Sequence, residues 1–346
     1  MTQPPVPGPV RRWVDGARPK TLPAALVPVI VGAALSGAVG RNRVGISPLS
    51  TPSTTTLGLR FPDWLQAEFA RLNWVCLALT MVVALALQIG VNYANDYSDG
   101  IKGTDEARVG PLRLVGSGLV PAKVVRSAAL LSFAIACIAG LFLAAATSWW
   151  LVAIGASAVL AAWGYTGGPK PYGYLGLGEL FVFVYFGLVA TLGTVYIQVG
   201  HLVAADWFAA IAIGFLSVAL LEANNLRDVT GDTAANKRTL AVRVGRARGA
   251  WLYLGAFVPV KLGILATSWW FFAHQGSLYG ASSLAGWWPL LGLVGLFSLW
   301  SIVSLVRSPA EGRALLPLLG ATGKAQLRTG LLFAIGIVLT QGHWPA

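Results

Sequence analysis

Acidic residues are scarce in this sequence, and they gather at two points, each next to an apolar run. The chain carries 13 Asp and Glu residues among 346. Seven of them fall in two short windows: Asp96, Asp99, Asp105 and Glu106 in the first, and Glu222, Asp228 and Asp232 in the second. A charged side chain at the centre of a membrane span costs about 2.5–3.5 kcal/mol on insertion scales. Carboxylates in such numbers beside apolar segments therefore predict a bound cation.

The spacing of these acids predicts a magnesium site. Helix positions three or four apart share a face, which aligns Asn92 with Asp96 and Asp99, and aligns Asp228 with Asp232. Oxygen ligands suit a hard cation, and Mg²⁺ is usually held by one or two carboxylates together with water and substrate phosphates. We therefore predict that the two aspartate pairs face each other across a cavity and hold two Mg²⁺ ions bridging to a polyanion.

Basic residues interleave with both acidic windows and predict an anionic ligand. They are Lys102 inside the first window with Arg108 and Arg113 after it, Arg227, Lys237 and Arg238 around the second, and Lys170 in a loop between the two. A diphosphate held by Mg²⁺ and these cations, beside a lipid-facing apolar cleft, accounts for both signals. A ligand that is half phosphate and half hydrocarbon is a prenyl diphosphate.

The elements that must position these residues are membrane helices. Hydrophobic residues make up 56% of the chain and charged residues 11%, against about 25% charged in soluble domains. Segments of about 20 apolar residues are long enough to cross a bilayer as helices. Nine such spans are predicted, over residues 21–39, 73–95, 124–146, 149–165, 178–199, 205–226, 250–273, 286–306 and 328–341.

The distribution of basic residues predicts the orientation of these spans. The net charge of +12 does not indicate nucleic acid binding, because most of the 25 Lys and Arg residues fall in alternate loops, as the positive-inside rule requires. The N-terminus and both acidic windows are thereby predicted on the inner face and the C-terminus outside. Residues 1–20 are predicted to be a flexible tail, residues 21–346 a single transmembrane domain, and residues 41–72 an outer loop insertion.

A weak internal repeat supports one shared site. The sequence ANDYSD at 94–99 recurs as ANNLRD at 223–228, with Ala, Asn and the final Asp kept. Each copy ends a predicted span, and four spans separate the copies, so both emerge on the same face. This predicts an all-α bundle of four plus four helices with a ninth added. Repeats of this kind recur in membrane proteins that place their site at the repeat interface.

Several stretches resemble the UbiA-type intramembrane prenyltransferases. NDYSD at 95–99 and NNLRDVTGD at 224–232 are similar to the two Asp-rich motifs of that family, and GPLR at 110–113 and YTGGP at 165–169 resemble the branch that prenylates 1,4-dihydroxy-2-naphthoate in menaquinone synthesis. The resemblance covers much of residues 17–250. It implies nine membrane helices and Mg-dependent transfer of a polyprenyl group with decarboxylation, giving demethylmenaquinone at the bacterial inner membrane.

The resemblance also implies roles for individual residues. Asp96 and Asp99 match the first metal-binding motif, and Asp228 and Asp232 match the second. The substrate-binding set that it implies is Arg18, Asn92, Asn95, Lys102, Arg108, Arg113, Tyr165, Lys170, Glu179, Asn225, Arg227 and Lys237. Arg18 and Arg113 are candidates for either the diphosphate or the naphthoate carboxylate, and Glu179 for orienting the acceptor or pairing with a loop cation.

Two alternatives are weighed against this interpretation. Within the family, the acceptor could be 4-hydroxybenzoate or homogentisate, which product analysis would distinguish. In a different class, a cation-coupled transporter also places carboxylates in the membrane. A transporter requires polar residues through the full membrane depth, whereas here the acids lie toward one face and outer halves such as LLSFAIACIAGLFLAAA, at 130–146, lack them.

Overall fold

The computed structural model describes residues 8–38, 72–104, 112–278, 283–297, 303–307, 310 and 312–340, and within these ranges the regular elements are all helical. In chain order the helices are α1 (Pro9–Gly16), α2 (Pro23–Ala38), α3 (Trp74–Ile101), α4 (Ala122–Ala146), α5 (Trp150–Gly164), α6 (Gly178–Val199), α7 (Ala204–Ala234), α8 (Leu240–Val244), α9 (Arg246–Gly255), α10 (Phe257–Leu278), α11 (Leu291–Val294), α12 (Val303–Arg307) and α13 (Leu316–Leu339). The all-α prediction is confirmed.

Five helical segments are long and apolar enough to cross a membrane, and a bent pair formed by α1 and α2 makes a sixth. The five are α3, α4, α6, α7 and the continuous run Arg246–His274. Shorter apolar helices occur at Trp150–Gly164 and Ala285–Phe297. The chain is thus a multi-pass membrane protein, and the count of nine spans stays a prediction.

The two helices that carry the acidic windows extend beyond their predicted ends. Spans were predicted over 73–95 and 205–226, whereas α3 continues to Ile101 and α7 to Ala234. Hydropathy falls where the acids begin, but the helical backbone continues because those polar side chains find partners inside the protein. The four aspartates therefore lie on the last turns of two helices and not in loops. The last helix likewise starts at Leu316 and not at 328.

The N-terminal segment departs from the predicted flexible tail. Residues 1–7 lie outside the described ranges, but α1 is a helix that packs on α3. Trp13 meets the Tyr93 ring edge-on at a centroid distance of 5.5 Å, and its carbonyl accepts from the Tyr93 hydroxyl at 2.9 Å. A proline at the first helical position favours this start. This aromatic contact, which sequence composition does not reveal, fixes the segment to the bundle. The predicted 41–72 outer loop lies almost entirely outside the described residues.

A turn between α1 and α2 carries a predicted site residue. The two helices meet at a 55° bend, and Arg18 within it has φ of 56°, a left-handed conformation that non-glycine residues seldom adopt. Side chains of α3 hold the turn, because the Asn92 amide donates to Ala17 O at 2.9 Å and to Thr21 Oγ1 at 3.2 Å. Sustained by these bonds, the bend presents Arg18 to the interior of the bundle.

Helix α7 forms the centre of the bundle, with α2, α10 and α13 packed around the same buried cluster. Its crossing with α6 is close: a Cβ on Gly187 would lie 2.4 Å from the Gly214 Cα. Membrane helices use small residues in this way to bring backbones together. Gly187 belongs to a π-helical segment of α6, Phe183–Val189. Such segments occur often at functional sites, and this one lines the cavity described next.

Candidate active site

A cavity of about 690 Å³ lies between α2, α3, α5, α6 and α7. Apolar side chains cover most of its wall, and polar groups gather at one end. The polar and charged lining residues at that end are Arg18, Asn92, Asn95, Asp99, Arg113, Tyr165, Asn224, Asn225, Asp232 and Lys237. They come from four parts of the chain: the turn between α1 and α2, α3 with the loop after it, the loop after α5, and α7 with the residues just beyond its end.

One lysine joins the two acidic windows. Lys237 Nζ lies 3.7 Å from Asp99 Oδ2 on α3 and 3.9 Å from Asp232 Oδ1 on α7. The side chains of the two aspartates are 2% and 9% exposed, and that of Lys237 is 8% exposed. Charges this deeply buried are held only when they are paired. The ends of α3 and α7 thus meet at a single charged centre.

Asp99 is the most connected acid of this centre. Its Oδ2 also faces Arg113 Nη2 at 3.4 Å, and its Oδ1 accepts from the Tyr174 hydroxyl at 2.8 Å. Arg113 is itself 8% exposed. Arg113 and Lys237 therefore both pair with the Asp99 carboxylate. This end of the cavity thus holds two cations beside two carboxylates, those of Asp99 and Asp232.

Asp96 turns away from the cavity. Its two oxygens accept from the backbone amides of Leu114 and Val115, at 2.7 and 3.0 Å. These bonds tie the 112–115 segment to α3 and so fix the backbone that carries Arg113. In this arrangement Asp96 positions a cavity residue and does not line the cavity, and its assignment as a metal ligand stays a prediction.

Asp228 is also committed elsewhere. It accepts from Arg227 in two parallel bonds, Nε to Oδ1 and Nη2 to Oδ2, both at 2.7 Å. The side chains of this pair are 0% and 3% exposed. Arg227 and Asp228 therefore form a buried structural pair beside the cavity. Of the two predicted aspartate pairs, one member of each, Asp99 and Asp232, meets at Lys237, and the metal-binding role of the pairs stays a prediction.

The remaining predicted site residues divide between the cavity and its support. Asn95 lines the cavity and accepts from the Thr166 hydroxyl at 2.7 Å, while Asn225 donates to Glu179 Oε1 at 2.8 Å, which makes Glu179 a support for Asn225. Lys102 reaches the Thr166 carbonyl at 2.7 Å. Lys170 is exposed on the loop after α5, and Arg108 lies outside the described residues.

Aromatic rings form the wall next to the charged end. Tyr172 stacks on Phe181 at a centroid distance of 3.9 Å and meets Tyr165 edge-on at 5.5 Å, and all three line the cavity. Burial raises the pKa of Tyr172, with Tyr185 acting in the same direction. The phenol is therefore neutral at physiological pH, and the wall presents uncharged aromatic faces.

Tyr174 was missed by sequence reasoning. It lies within the YTGGPKPYGYLGLGE stretch of 165–179, yet no helical or strand period places a loop tyrosine against Asp99 on another element. The only sequence signal was the density of tyrosines in that loop. Asn224, a further cavity residue, stood inside a recognised motif without an assigned role.

The donor set fits a divalent cation that shares its ligands with a phosphate. Within the described ranges, no three acidic, histidine or cysteine side chains lie close enough together to hold a metal by themselves. Asp99 and Asp232 supply two buried carboxylates facing one cavity, which matches the one or two carboxylates Mg²⁺ usually takes from a protein when substrate phosphates complete its shell. Such a site therefore depends on the anionic ligand as well as on the protein.

The fold and this site define a class: a multi-pass helical membrane protein in which an apolar cavity ends in buried carboxylates and cations. Comparison with known proteins agrees. Residues 54–318 match the UbiA prenyltransferase family. The chain is 44% identical over 95% of its length to a Mycobacterium tuberculosis protein named 1,4-dihydroxy-2-naphthoate octaprenyltransferase, and 39% identical over 95% to the Mycobacterium leprae protein of that name, covering 98% and 96% of those chains.

A solved structure shares the fold. It is a UbiA homolog from Archaeoglobus fulgidus bound to GPP and Mg²⁺, which aligns with a TM-score of 0.62 over 95% of this chain and 99% of its own, at 12% identity. The chain belongs to the UbiA prenyltransferase family, and the family resemblance of its sequence motifs is confirmed.

Proposed function

We propose that this protein transfers a polyprenyl group from a polyprenyl diphosphate to 1,4-dihydroxy-2-naphthoate, with loss of CO₂ and formation of demethylmenaquinol, the reduced form of demethylmenaquinone. The observation that carries the proposal is the junction of Asp99, Asp232 and Lys237 at the charged end of a large apolar cavity. A prenyl diphosphate has the same division between a charged head and a hydrocarbon tail. The choice of acceptor is supported by the names of the two mycobacterial relatives.

The diphosphate head binds at the charged end in this proposal. Three cations line the cavity there and can bind the diphosphate. Arg113 and Lys237 each form an ion pair with Asp99, and Arg18 comes from the turn between α1 and α2. Asp99 and Asp232 would hold Mg²⁺, with two ions proposed, and Mg²⁺ supplies neutralisation of the charge that grows on the departing diphosphate. Its presence in the solved family structure supports this requirement.

The first chemical step breaks the bond between the allylic carbon and the diphosphate oxygen. The bonding electrons leave with the diphosphate, and the lysine and arginine side chains stabilise that developing charge. The allylic carbocation left behind lies beside the faces of Tyr165, Tyr172 and Phe181, which stabilise a cation through their ring quadrupoles. The apolar wall excludes water, which would otherwise capture the cation.

The second step forms a carbon–carbon bond. The electron-rich naphthoate ring attacks the carbocation at the carbon that bears the carboxylate. That carboxylate leaves as CO₂, and the electrons of its bond to the ring restore aromaticity. The amide side chains of Asn92, Asn95 and Asn225 face the cavity and are suited to orient the acceptor hydroxyl groups. Arg18 or Arg113 is suited to hold the acceptor carboxylate before it leaves.

The proposed orientation places the charged end on the cytoplasmic side of the bacterial cell membrane. The segments that follow α3, α5 and α7 at that end carry Lys102, Lys170, Arg238 and Arg243, so the positive-inside rule supports this placement. The N-terminus would then be cytoplasmic and the C-terminus outside. A diphosphate made in the cytoplasm reaches the site from that side, and the tail enters the apolar cavity.

Assaying the purified protein with a polyprenyl diphosphate and Mg²⁺ tests the proposal. From 1,4-dihydroxy-2-naphthoate we expect demethylmenaquinol, identified by mass spectrometry as the quinol or as the quinone that air oxidises it to, and no product once the divalent metal is chelated. The same reactions with 4-hydroxybenzoate and homogentisate form the acceptor control. Transfer to 4-hydroxybenzoate without transfer to the naphthoate would overturn the acceptor, and undiminished activity in chelator would remove the metal from the mechanism.

A further inference from the structure

Tyr174 lies on a tightly constrained turn over the charged end of the cavity. It belongs to a short 3-10 helix, Tyr172–Leu175, in the loop between α5 and α6. The turn packs on Tyr165: the Gly173 amide donates to the Tyr165 carbonyl at 3.0 Å, and a Cβ on Gly173 would lie 2.6 Å from that oxygen. Gly176 ends the turn at a φ of 70°. The backbone that carries Tyr174 is therefore fixed independently of any ligand.

The hydroxyl of Tyr174 fixes the orientation of Asp99. It donates to Asp99 Oδ1 at 2.8 Å, while Asp99 Oδ2 faces Arg113 and Lys237. Rotation about the last side-chain bond of an aspartate is broad and two-fold, so a carboxylate needs a partner to hold one plane. The tyrosine supplies that partner, and the other oxygen is thereby directed to the cations of the cavity.

The ring of Tyr174 contacts two lysines. Lys102 Nζ lies 5.0 Å and Lys237 Nζ 5.2 Å from the ring centroid, both within the range of a cation–π contact. Lys102 follows α3 and Lys237 follows α7, so the ring joins the two helix ends. Desolvation lowers the pKa of Lys102, and Lys237 lowers it further while Asp99 raises it. Two ammonium groups are thus held close enough to repel each other, with an aromatic ring beside both.

We propose that Tyr174 is a positioning residue for the diphosphate end of the site, its hydroxyl orienting Asp99 and its ring holding the ammonium groups of Lys102 and Lys237. The inference rests on the proposed function for the nature of the ligand, a diphosphate with a divalent cation. It assigns different consequences to the two parts of the side chain. The hydroxyl governs the metal requirement, and the ring governs affinity for the diphosphate.

Two substitutions separate these parts. Tyr174→Phe removes the hydroxyl and keeps the ring, while Tyr174→Leu removes both. Tyr253→Phe is the matched control, because it deletes a buried tyrosine hydroxyl that bonds Thr322 in another part of the bundle. For each protein, kcat and KM for the polyprenyl diphosphate are measured, together with the Mg²⁺ concentration for half-maximal rate. The rise in Tm caused by inorganic pyrophosphate with and without Mg²⁺ gives a readout independent of turnover.

We expect Tyr174→Phe to raise the Mg²⁺ requirement about tenfold, since a hydrogen bond to a charged group is lost, with KM changed less than about threefold. Tyr174→Leu should raise the Mg²⁺ requirement equally and also raise KM about tenfold. Both variants should reduce the Tm rise caused by Mg²⁺ and pyrophosphate, and Tyr253→Phe should not. Tyr174→Phe should thus have a KM near the wild-type value but a raised Mg²⁺ requirement. A purely structural role of Tyr174 would not separate these two quantities.

Wild-type values of KM, Mg²⁺ requirement and ligand-induced Tm rise in Tyr174→Leu would overturn the proposal, and so would a wild-type protein that Mg²⁺ and pyrophosphate do not stabilise. Equal KM values for the two variants would overturn the role of the ring. Failure of the proposed function gives a different result: no acceptor is prenylated by the wild-type protein, while the Tm rise still differs between wild type and Tyr174→Leu.

Discussion

Replacing Asp228 with Asn should lower the thermal stability of this protein more than replacing Asp232 with Asn, although both aspartates lie on the last turns of α7. Asp228 receives two 2.7 Å bonds from Arg227, and the side chains of the pair are 3% and 0% exposed. Asp232 is 9% exposed and faces Lys237 at 3.9 Å, at the edge of a cavity. The two substitutions therefore remove charges of equal size from different surroundings.

The geometry gives the size of the effect. Removing one partner of a buried ion pair costs about 3–5 kcal/mol, because the other charge is left uncompensated away from water. In a large domain each kcal/mol lowers Tm by roughly 2 °C, so Asp228→Asn should lower Tm by about 6–10 °C. Asp232→Asn weakens a longer contact, and the cation it leaves, Lys237, still has Asp99 at 3.7 Å, so Tm should fall by no more than about 3 °C.

Thermal unfolding of the purified protein in one detergent, followed by tryptophan fluorescence, measures both shifts. The double variant Arg227→Met with Asp228→Asn is the matched control. Removing the buried cation together with its partner should restore a large part of the lost Tm, because the penalty comes from the unpaired charge.

A wild-type Tm for Asp228→Asn would show that Arg227 and Asp228 are not a stabilising buried pair, since a doubly bonded buried pair cannot be broken without cost. If that variant also lost the stabilisation given by Mg²⁺ and pyrophosphate, Asp228 would be a cavity ligand and not the partner of Arg227. We expect the reverse pattern, in which Asp232→Asn loses that stabilisation at nearly unchanged Tm.

Three further predictions concern other parts of the structure. Desolvation lowers the pKa of Lys102 below its ordinary value of 10.5, so this lysine loses its charge at a lower pH than an exposed lysine does. As the pH is raised, KM for the diphosphate should therefore begin to increase earlier in the wild-type protein than in Lys102→Arg, because arginine stays charged. Asp96→Ala removes the acceptor of two backbone amides at 2.7 and 3.0 Å and should cut kcat at least tenfold. Asp96→Asn keeps one acceptor oxygen and should retain a higher kcat than Asp96→Ala, so equal kcat values for the two variants would contradict this role of Asp96. Gly187→Ala would bring a Cβ to 2.4 Å from Gly214 Cα and should sharply reduce the yield of folded protein, whereas Gly140→Ala, with no heavy atom within 4 Å, should leave yield and Tm at or above wild type.

Much of this architecture follows from sequence because membrane insertion imposes simple rules. Hydropathy located α3, α4, α6 and α7, and helical spacing indicated that both acidic windows lie on helix faces. The repeat of ANDYSD as ANNLRD predicted that the two windows share a site, and the junction at Lys237 supports that prediction. Hydropathy could not locate the helix ends, because polar residues continue a helix wherever the protein supplies their partners, as at Asp96 and Asp228.

Sequence could not tell which aspartate of each pair faces the cavity. Residues three apart on a helix differ by about 60° in direction, enough for Asp99 to reach Lys237 while Asp96 accepts from the amides of Leu114 and Val115. That choice depends on the path of a loop, and so does the contact between Tyr174 and Asp99. Loop paths are set by tertiary packing and positive-φ glycines rather than by a repeating pattern, and periodicity therefore carries no information about them.

We propose that the ends of α3 and α7 jointly hold a divalent cation with a diphosphate. Equilibrium binding of Mn²⁺, a spectroscopic substitute for Mg²⁺, tests it directly by electron paramagnetic resonance in the presence of inorganic pyrophosphate. We predict that Asp99→Asn and Asp232→Asn each weaken binding at least about tenfold, while Asp15→Asn, at a surface position on α1, binds as wild type does. Wild-type affinity in both cavity variants would show that Asp99 and Asp232 do not hold the cation.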